Sequence, residues 1–136
     1  MEPLTARVSR GVSSVGERAE RRVRAFKATD VFVVETFRVA TSLEGTAGRD
    51  LACAIRAIVV ACGGALVAAS ESRSGERRWL STAHEKLAEA RYCLYLARRL
   101  GMIDLTRYRA LSGRHDAATR ELDLALEERE VSAEPP

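Results

Sequence analysis

The chain has 136 residues, 46% hydrophobic and 30% charged, with 22 Lys and Arg against 19 Asp and Glu for a formal net charge of +3. That balance suits one soluble domain with a core of its own. Aromatics are only 5% of the chain and Ala, Leu, Arg, Glu and Val dominate, which favours helix over sheet.

Cys53, Cys62 and Cys93 are odd in number and lack CxxC or Cys/His ligand spacing, which argues against a disulfide framework or a zinc motif. They read as reduced thiols of a cytoplasmic protein. The opening MEPLTARVSRGVSSVG has no apolar h-region, so residues 1–16 are expected to be a flexible arm, not a secretory signal.

The first helix is expected to start at Glu17 or Thr29 and to run to Leu43. Val23, Phe26, Val33, Phe37 and Ala40 follow the 3–4 spacing of one apolar face. Its opening, ERAERRVR, is too polar for a core and is expected to project, while Thr29 and Asp30 offer a cap for a shorter helix.

After the break EGTAGRD, Asp50 is the expected N-cap of a second helix over Leu51–Ser70. Within it, AIVVACGGALVAAS (57–70) is fourteen residues without a charge. A membrane span takes about 20. Arg56 ends the uncharged run, so the stretch reads as the central buried helix of a bundle, with no membrane partner. Gly63 and Gly64 match neither GxxxxGK[ST] nor GxGxxG. In a helix interior the two cost on the order of 2 kcal/mol relative to Ala, so they are expected to allow close packing or a bend.

SESRSG (70–75) punctuates the chain before a third helix. There Leu80, Ala83, Leu87, Ala90, Leu94 and Ala97 repeat at alternating spacings of three and four, a heptad-like seam closed by Gly101. Asp104 then caps a fourth helix carrying Leu105, Tyr108, Leu111, Ala118, Leu122 and Leu126, and residues 130–136 are expected to be a disordered tail. The expected fold is all-α: an up-down-up-down antiparallel four-helix bundle over residues 17–129, with connections too short for long crossovers.

The second and third helices resemble those of the four-helix-bundle proteins named after intervening sequences in bacterial 23S ribosomal RNA. That family carries L-x-x-Q-I-R-R-A-A-x-S-I-P-x-N-I-A-E-G; here stand Leu51, Ala54-Ile55-Arg56-Ala57-Ile58-Val59, then Cys62-Gly63 and Leu66. The family's next helix is matched at Trp79-Leu80, Ala83, Glu89, Leu94, Ala97 and Leu100-Gly101-Met102-Ile103. Ala54 replaces the family's Gln and Gly63 its Pro. Ala65, Ala68-Ala69 and Lys86 replace its Asn, Glu-Gly and Ser. The resemblance implies a cytoplasmic bacterial protein assembled as a ring, commonly a homopentamer. A related branch, the accessory variability proteins of diversity-generating retroelements, binds nucleic acid and a reverse transcriptase.

Two charged residues fall in apolar helices: Arg56 in the second and Glu89 in the third. Each is expensive to bury alone, so they are expected to pair or share a hydrogen-bonded network. His84 and His115 are isolated, and His84-Glu85 without a second His at i+4 is not a zinc site. No nucleophile with an activating base is evident; the expectation is a non-enzymatic chain without cofactor or metal.

The basic residues make the functional constellation. Residues 1–103 hold 17 Lys and Arg against 11 Asp and Glu, while residues 104–136 hold 5 against 8. Arg21, Arg22, Arg24 and Lys27 precede or open the first helix; Arg73, Arg77 and Arg78 flank the second turn; Arg98 and Arg99 end the third helix. Arginine forks suit phosphates, although no groove-reading motif accompanies them. The expected function is a homo-oligomeric helical scaffold that binds RNA or DNA independently of sequence. The alternative is a protein–protein adaptor with no nucleic-acid role.

Overall fold

A computed structural model describes the backbone of residues 4–133 and the side chains of residues 16–127. Four helices and no strand occur among the described residues: α1 (Leu4–Thr41), α2 (Gly45–Glu71), α3 (Glu76–Arg99) and α4 (Leu105–Ala133). The first packs on the second, the second on the third and the third on the fourth, and α4 closes against α1. The segment read as an arm is helical from Leu4 onward, and α4 continues to Ala133. The remainder of both terminal segments, 1–3 and 134–136, lies outside the described residues.

The helix ends follow from local chemistry. Asp104 Oδ1 accepts from the Arg107 N–H at 2.8 Å, an N-cap that satisfies one of the orphan donors opening α4. Gly101, at φ +73°, ends α3: the Met102 N–H reaches the Ala97 carbonyl at 2.8 Å and the Gly101 N–H reaches Arg98 at 3.0 Å. That pair of bonds is the Schellman arrangement, and the left-handed backbone it needs favours glycine.

α2 starts six residues earlier than expected, at Gly45, so Asp50 lies inside the helix and is not its cap. Gly48 explains the tight entry. A Cβ there would stand 3.2 Å from the Leu43 carbonyl carbon, so the chain leaving α1 passes directly over the glycine.

The α3 seam is buried as its spacing predicts, from Leu80 at 2% exposure through Ala83, Leu87, Ala90 and Leu94 to Ala97. Opposite it stand Ile55, Val59, Cys62 and Leu66 of α2, Leu111, Ala118 and Leu122 of α4, and Phe32 of α1. Each large aliphatic or aromatic side chain so enclosed contributes about 1.5–3 kcal/mol. Alanines fill much of the remaining core and let helix axes approach closely.

α1 departs from the expected face. Its core side is Ala25, Thr29, Phe32, Thr36 and Ala40, whereas Val23, Phe26 and Phe37 of the expected stripe are exposed. The stripe that burial selects holds two threonines, so it is less apolar than the one facing out. Both threonine hydroxyls are enclosed without a hydrogen-bond partner.

Candidate functional site

Two surfaces stand out: an uncovered apolar face shared by α1 and α2, and arginine clusters at the ends of α3. The apolar face begins with the misread stripe of α1. Val23, Phe26, Val34 and Phe37 remain 37–50% exposed, and Val60 and Val67 of α2 remain 58% and 46% exposed. Toward one end the two helices frame a groove of about 550 Å³, with Phe26, Leu66, Val67 and Leu80 in its wall and Arg22 and Lys27 among the basic residues lining it. Toward the other end the Arg56 guanidinium lies 6.0 Å from the centre of the Phe37 ring, a cation–π contact.

α2 is 27 residues long, with a mean hydropathy of 2.2 over its most apolar 18 residues, and only 33% of that window is buried. By length and composition it is long and apolar enough to cross a bilayer, as the core helix of a bundle also can be; it runs from Gly45 to Glu71, past both ends of the expected Leu51–Ser70 helix.

Gly63 and Gly64 belong to this outward surface. α2 is helical without interruption through both, and a Cβ added at either would meet nothing within 4 Å. Close approach of a neighbouring helix within the chain therefore does not account for them, contrary to the packing role expected from sequence.

The expected Arg56–Glu89 pair is not formed. Glu89 falls outside the α3 seam, where successive seam positions are Leu87 and Ala90, and it is exposed. It pairs with the Lys86 ammonium, one turn away, at 3.1 Å. Arg56 is half-buried and spends its charge on the Phe37 face and a weak 3.7 Å contact with the Cys53 sulfur.

The nine basic residues divide into two groups. Arg22 Nε stands 3.8 Å from Glu76 Oε1, which brings Arg21, Arg22 and Lys27 of α1 to the same end as Arg73, Arg77 and Arg78. Arg24 is exposed on the same stretch of α1. Arg98 and Arg99 lie at the opposite end of α3, about 30 Å away at 1.5 Å per residue. One continuous patch is therefore not built, and Glu76 offsets part of the first group.

Around the second group the fold collects what sequence reading missed. Tyr92 and Tyr95 project from α3, with exposures of 64% and 47%, and their ring centres are 6.5 Å apart. The Arg98 guanidinium lies 5.7 Å from the centre of the Tyr108 ring. The available signal was the i, i+3 spacing of tyrosines falling off a seam already defined by Leu87, Ala90 and Leu94.

His115 is buried, stacks edge-on against Phe32 at 5.3 Å and bonds through Nε2 to the Leu87 carbonyl at 2.8 Å. Burial holds its imidazole below the usual His range. His84 lies on the surface, 2.9 Å from an Asp123 oxygen. Among the described residues, no three His, Cys, Asp or Glu side chains come together as a metal site.

Compared with protein-family models, curated proteins and solved structures, the chain matches none. Fold and surface define an all-α protein of four helices with an uncovered apolar face and separate basic clusters.

Proposed function

We propose that this chain is a non-enzymatic, homo-oligomeric helical scaffold of the cytoplasm that binds nucleic acid independently of sequence through surface arginines. The protomer is an up-down-up-down antiparallel bundle. Connections of a few residues between side-by-side helices favour that topology over crossovers.

The observation that carries the oligomer is the exposed α1–α2 face, from Val23 and Phe26 to Val60 and Val67. Contiguous apolar surface of this kind marks an interaction site. Covering it with a second copy buries the valines and phenylalanines that the protomer leaves in water. A ring of five is the number implied by the resemblance to the intervening-sequence bundles, and such a ring carries a formal +15, five times the chain's +3.

Nucleic-acid binding rests on Arg21, Arg22, Arg24, Lys27, Arg73, Arg77 and Arg78 at one end and Arg98 and Arg99 at the other. Backbone contacts of this kind release counterions, so affinity falls steeply with salt. Salt-titrated binding to structured RNA and duplex DNA tests it: an affinity indifferent to salt, or none at low salt, contradicts the proposal.

A second reading is favoured by the groove beside Phe26 and Val67, whose apolar wall and basic Arg22 and Lys27 suit an acidic amphipathic helix of another protein. On that reading the chain is an adaptor with no nucleic-acid role: binding of the acidic helix would be lost on filling the groove at its exposed rim by Ser70→Trp, and RNA would not bind at all.

A further inference from the structure

The outer side of α3 combines aromatic and cationic groups in an order the core does not require. Its seam is complete without Tyr92 or Tyr95, and both rings face water on consecutive turns. Arg99 lies one turn beyond Tyr95 and makes no ion pair among the described residues. Arg91 lies one turn before Tyr95 and is 3.5 Å from an Asp116 oxygen, where a competing phosphate could take over the guanidinium. Arg98 is held against Tyr108. Arg91, Tyr92, Tyr95, Arg98 and Arg99 thus set two exposed rings between flanking guanidinium groups along about two turns of one helix.

We infer that this face of α3 is a stacking platform for single-stranded nucleic acid, with bases on Tyr92 and Tyr95 and backbone phosphates on Arg91, Arg98 and Arg99. The inference rests on the nucleic-acid reading above and narrows it. Arginines alone would not distinguish a duplex from a single strand of similar charge. Exposed rings do, because the bases of a duplex are already stacked on one another and present no free π-face. The rings are tilted by 35° and not coplanar, so each offers its own face to a base. Stacking is tolerant of sequence, as every base has a π-face, and no hydrogen-bond readout is needed. Glu89 lies on the same helix, but Lys86 engages its carboxylate at 3.1 Å.

The test uses the full chain and fluorescein-labelled oligonucleotides of about 16 nucleotides, within the footprint range of such sites. Fluorescence anisotropy is followed with oligo-dT, oligo-rU and a mixed-sequence duplex of equal length at two salt concentrations. The expected result is tighter binding of the single strands than of the duplex. Tyr92→Ala and Tyr95→Ala should each weaken single-strand binding by roughly tenfold and leave duplex binding unchanged. Tyr92→Phe should retain the affinity. Tyr92→Leu, which keeps apolar bulk without a π-face, should lose it, so a folding defect in the alanine variant does not decide the matter.

Equal affinity of wild type and the Tyr→Ala and Tyr→Leu variants for single strands overturns the platform, while salt-dependent binding to both nucleic acids leaves the broader reading standing. Binding of neither oligonucleotide at low salt overturns both.

Discussion

His115 Nε2 donates a 2.8 Å hydrogen bond to the Leu87 carbonyl, tying α4 to α3 from inside the bundle. Because a carbonyl only accepts, Nε2 carries the proton and Nδ1 is the bare nitrogen. Nδ1 is enclosed without a hydrogen-bond partner; the nearest carboxylate, Asp116, stands 3.8 Å away. Protonating Nδ1 puts a charge into an apolar seam against Phe32.

Stability should therefore depend on pH in one direction. Burial lowers the folded pKa of His115, with the neighbouring Arg91 adding to the effect, while the Leu87 bond and Asp116 act against it. A depressed histidine contributes its stability above the unfolded value, about 6.5, and loses it as pH falls through the folded value. Thermal melting should be flat from pH 8 to about 6.5 and then decline. His115→Gln should flatten that decline over the same interval, and a variant whose acid limb matches wild type would count against the buried neutral imidazole.

Gly63 bears on a different balance. With open space around its missing Cβ, substitution removes backbone entropy from the unfolded chain and adds no clash. Gly63→Ala should stabilise the protomer by about 0.5–1 kcal/mol, raising the melting temperature by a few degrees. A lower melting temperature at protein concentrations that hold the chain monomeric would contradict this. Gly64, fully on the outer side of α2, should behave differently: Gly64→Leu leaves helicity unchanged and weakens assembly, since the added side chain projects into the covered face.

The three thiols should separate by reactivity. Burial pushes Cys62 up to about 12, and its thiol points at the Ala83 carbonyl at 3.4 Å. Only a thiolate reacts with maleimides or iodoacetamide at useful rates. Cys62 should stay unlabelled at pH 8 until the chain unfolds, and mass spectrometry of the labelled peptides reads this directly. Cys93 is raised to a smaller degree, by burial and then by Glu89, and should label slowly. Fast labelling of Cys62 in the folded chain would mean that the α2–α3 seam opens.

The sequence was informative where one pattern dominates its helix. α3 has a single Leu–Ala stripe, so Leu80 to Ala97 could be read as core and Glu89, once the register is fixed, as surface. Asp104 and Gly101 carried their own capping chemistry. α1 was opaque because it has two candidate stripes. The more apolar one, Val23–Phe26–Phe37, is turned to solvent, and the buried one hides Thr29 and Thr36, which composition marks as polar. Periodicity ranks faces by hydrophobicity and assumes that the most apolar is internal to the chain, an assumption that fails in α1, where the more apolar face is left exposed. The same assumption led to close packing or a bend at Gly63 and Gly64, whereas α2 runs through both without interruption and a Cβ at either would meet nothing within 4 Å. Arg56 and Glu89 looked like partners because charges in apolar helices suggest burial, yet both lie at or beyond the edge of their stripes.

Assembly through the α1–α2 face is the central proposal. Sedimentation velocity on the full chain at micromolar concentration tests it most directly, with Val60→Glu/Val67→Glu run alongside and circular dichroism confirming helicity. The expected result is one species at a multiple of the 14.9 kDa chain mass, converted by the double substitution into a folded 14.9 kDa protomer. A wild-type chain that sediments as a stable 14.9 kDa monomer throughout would contradict the account.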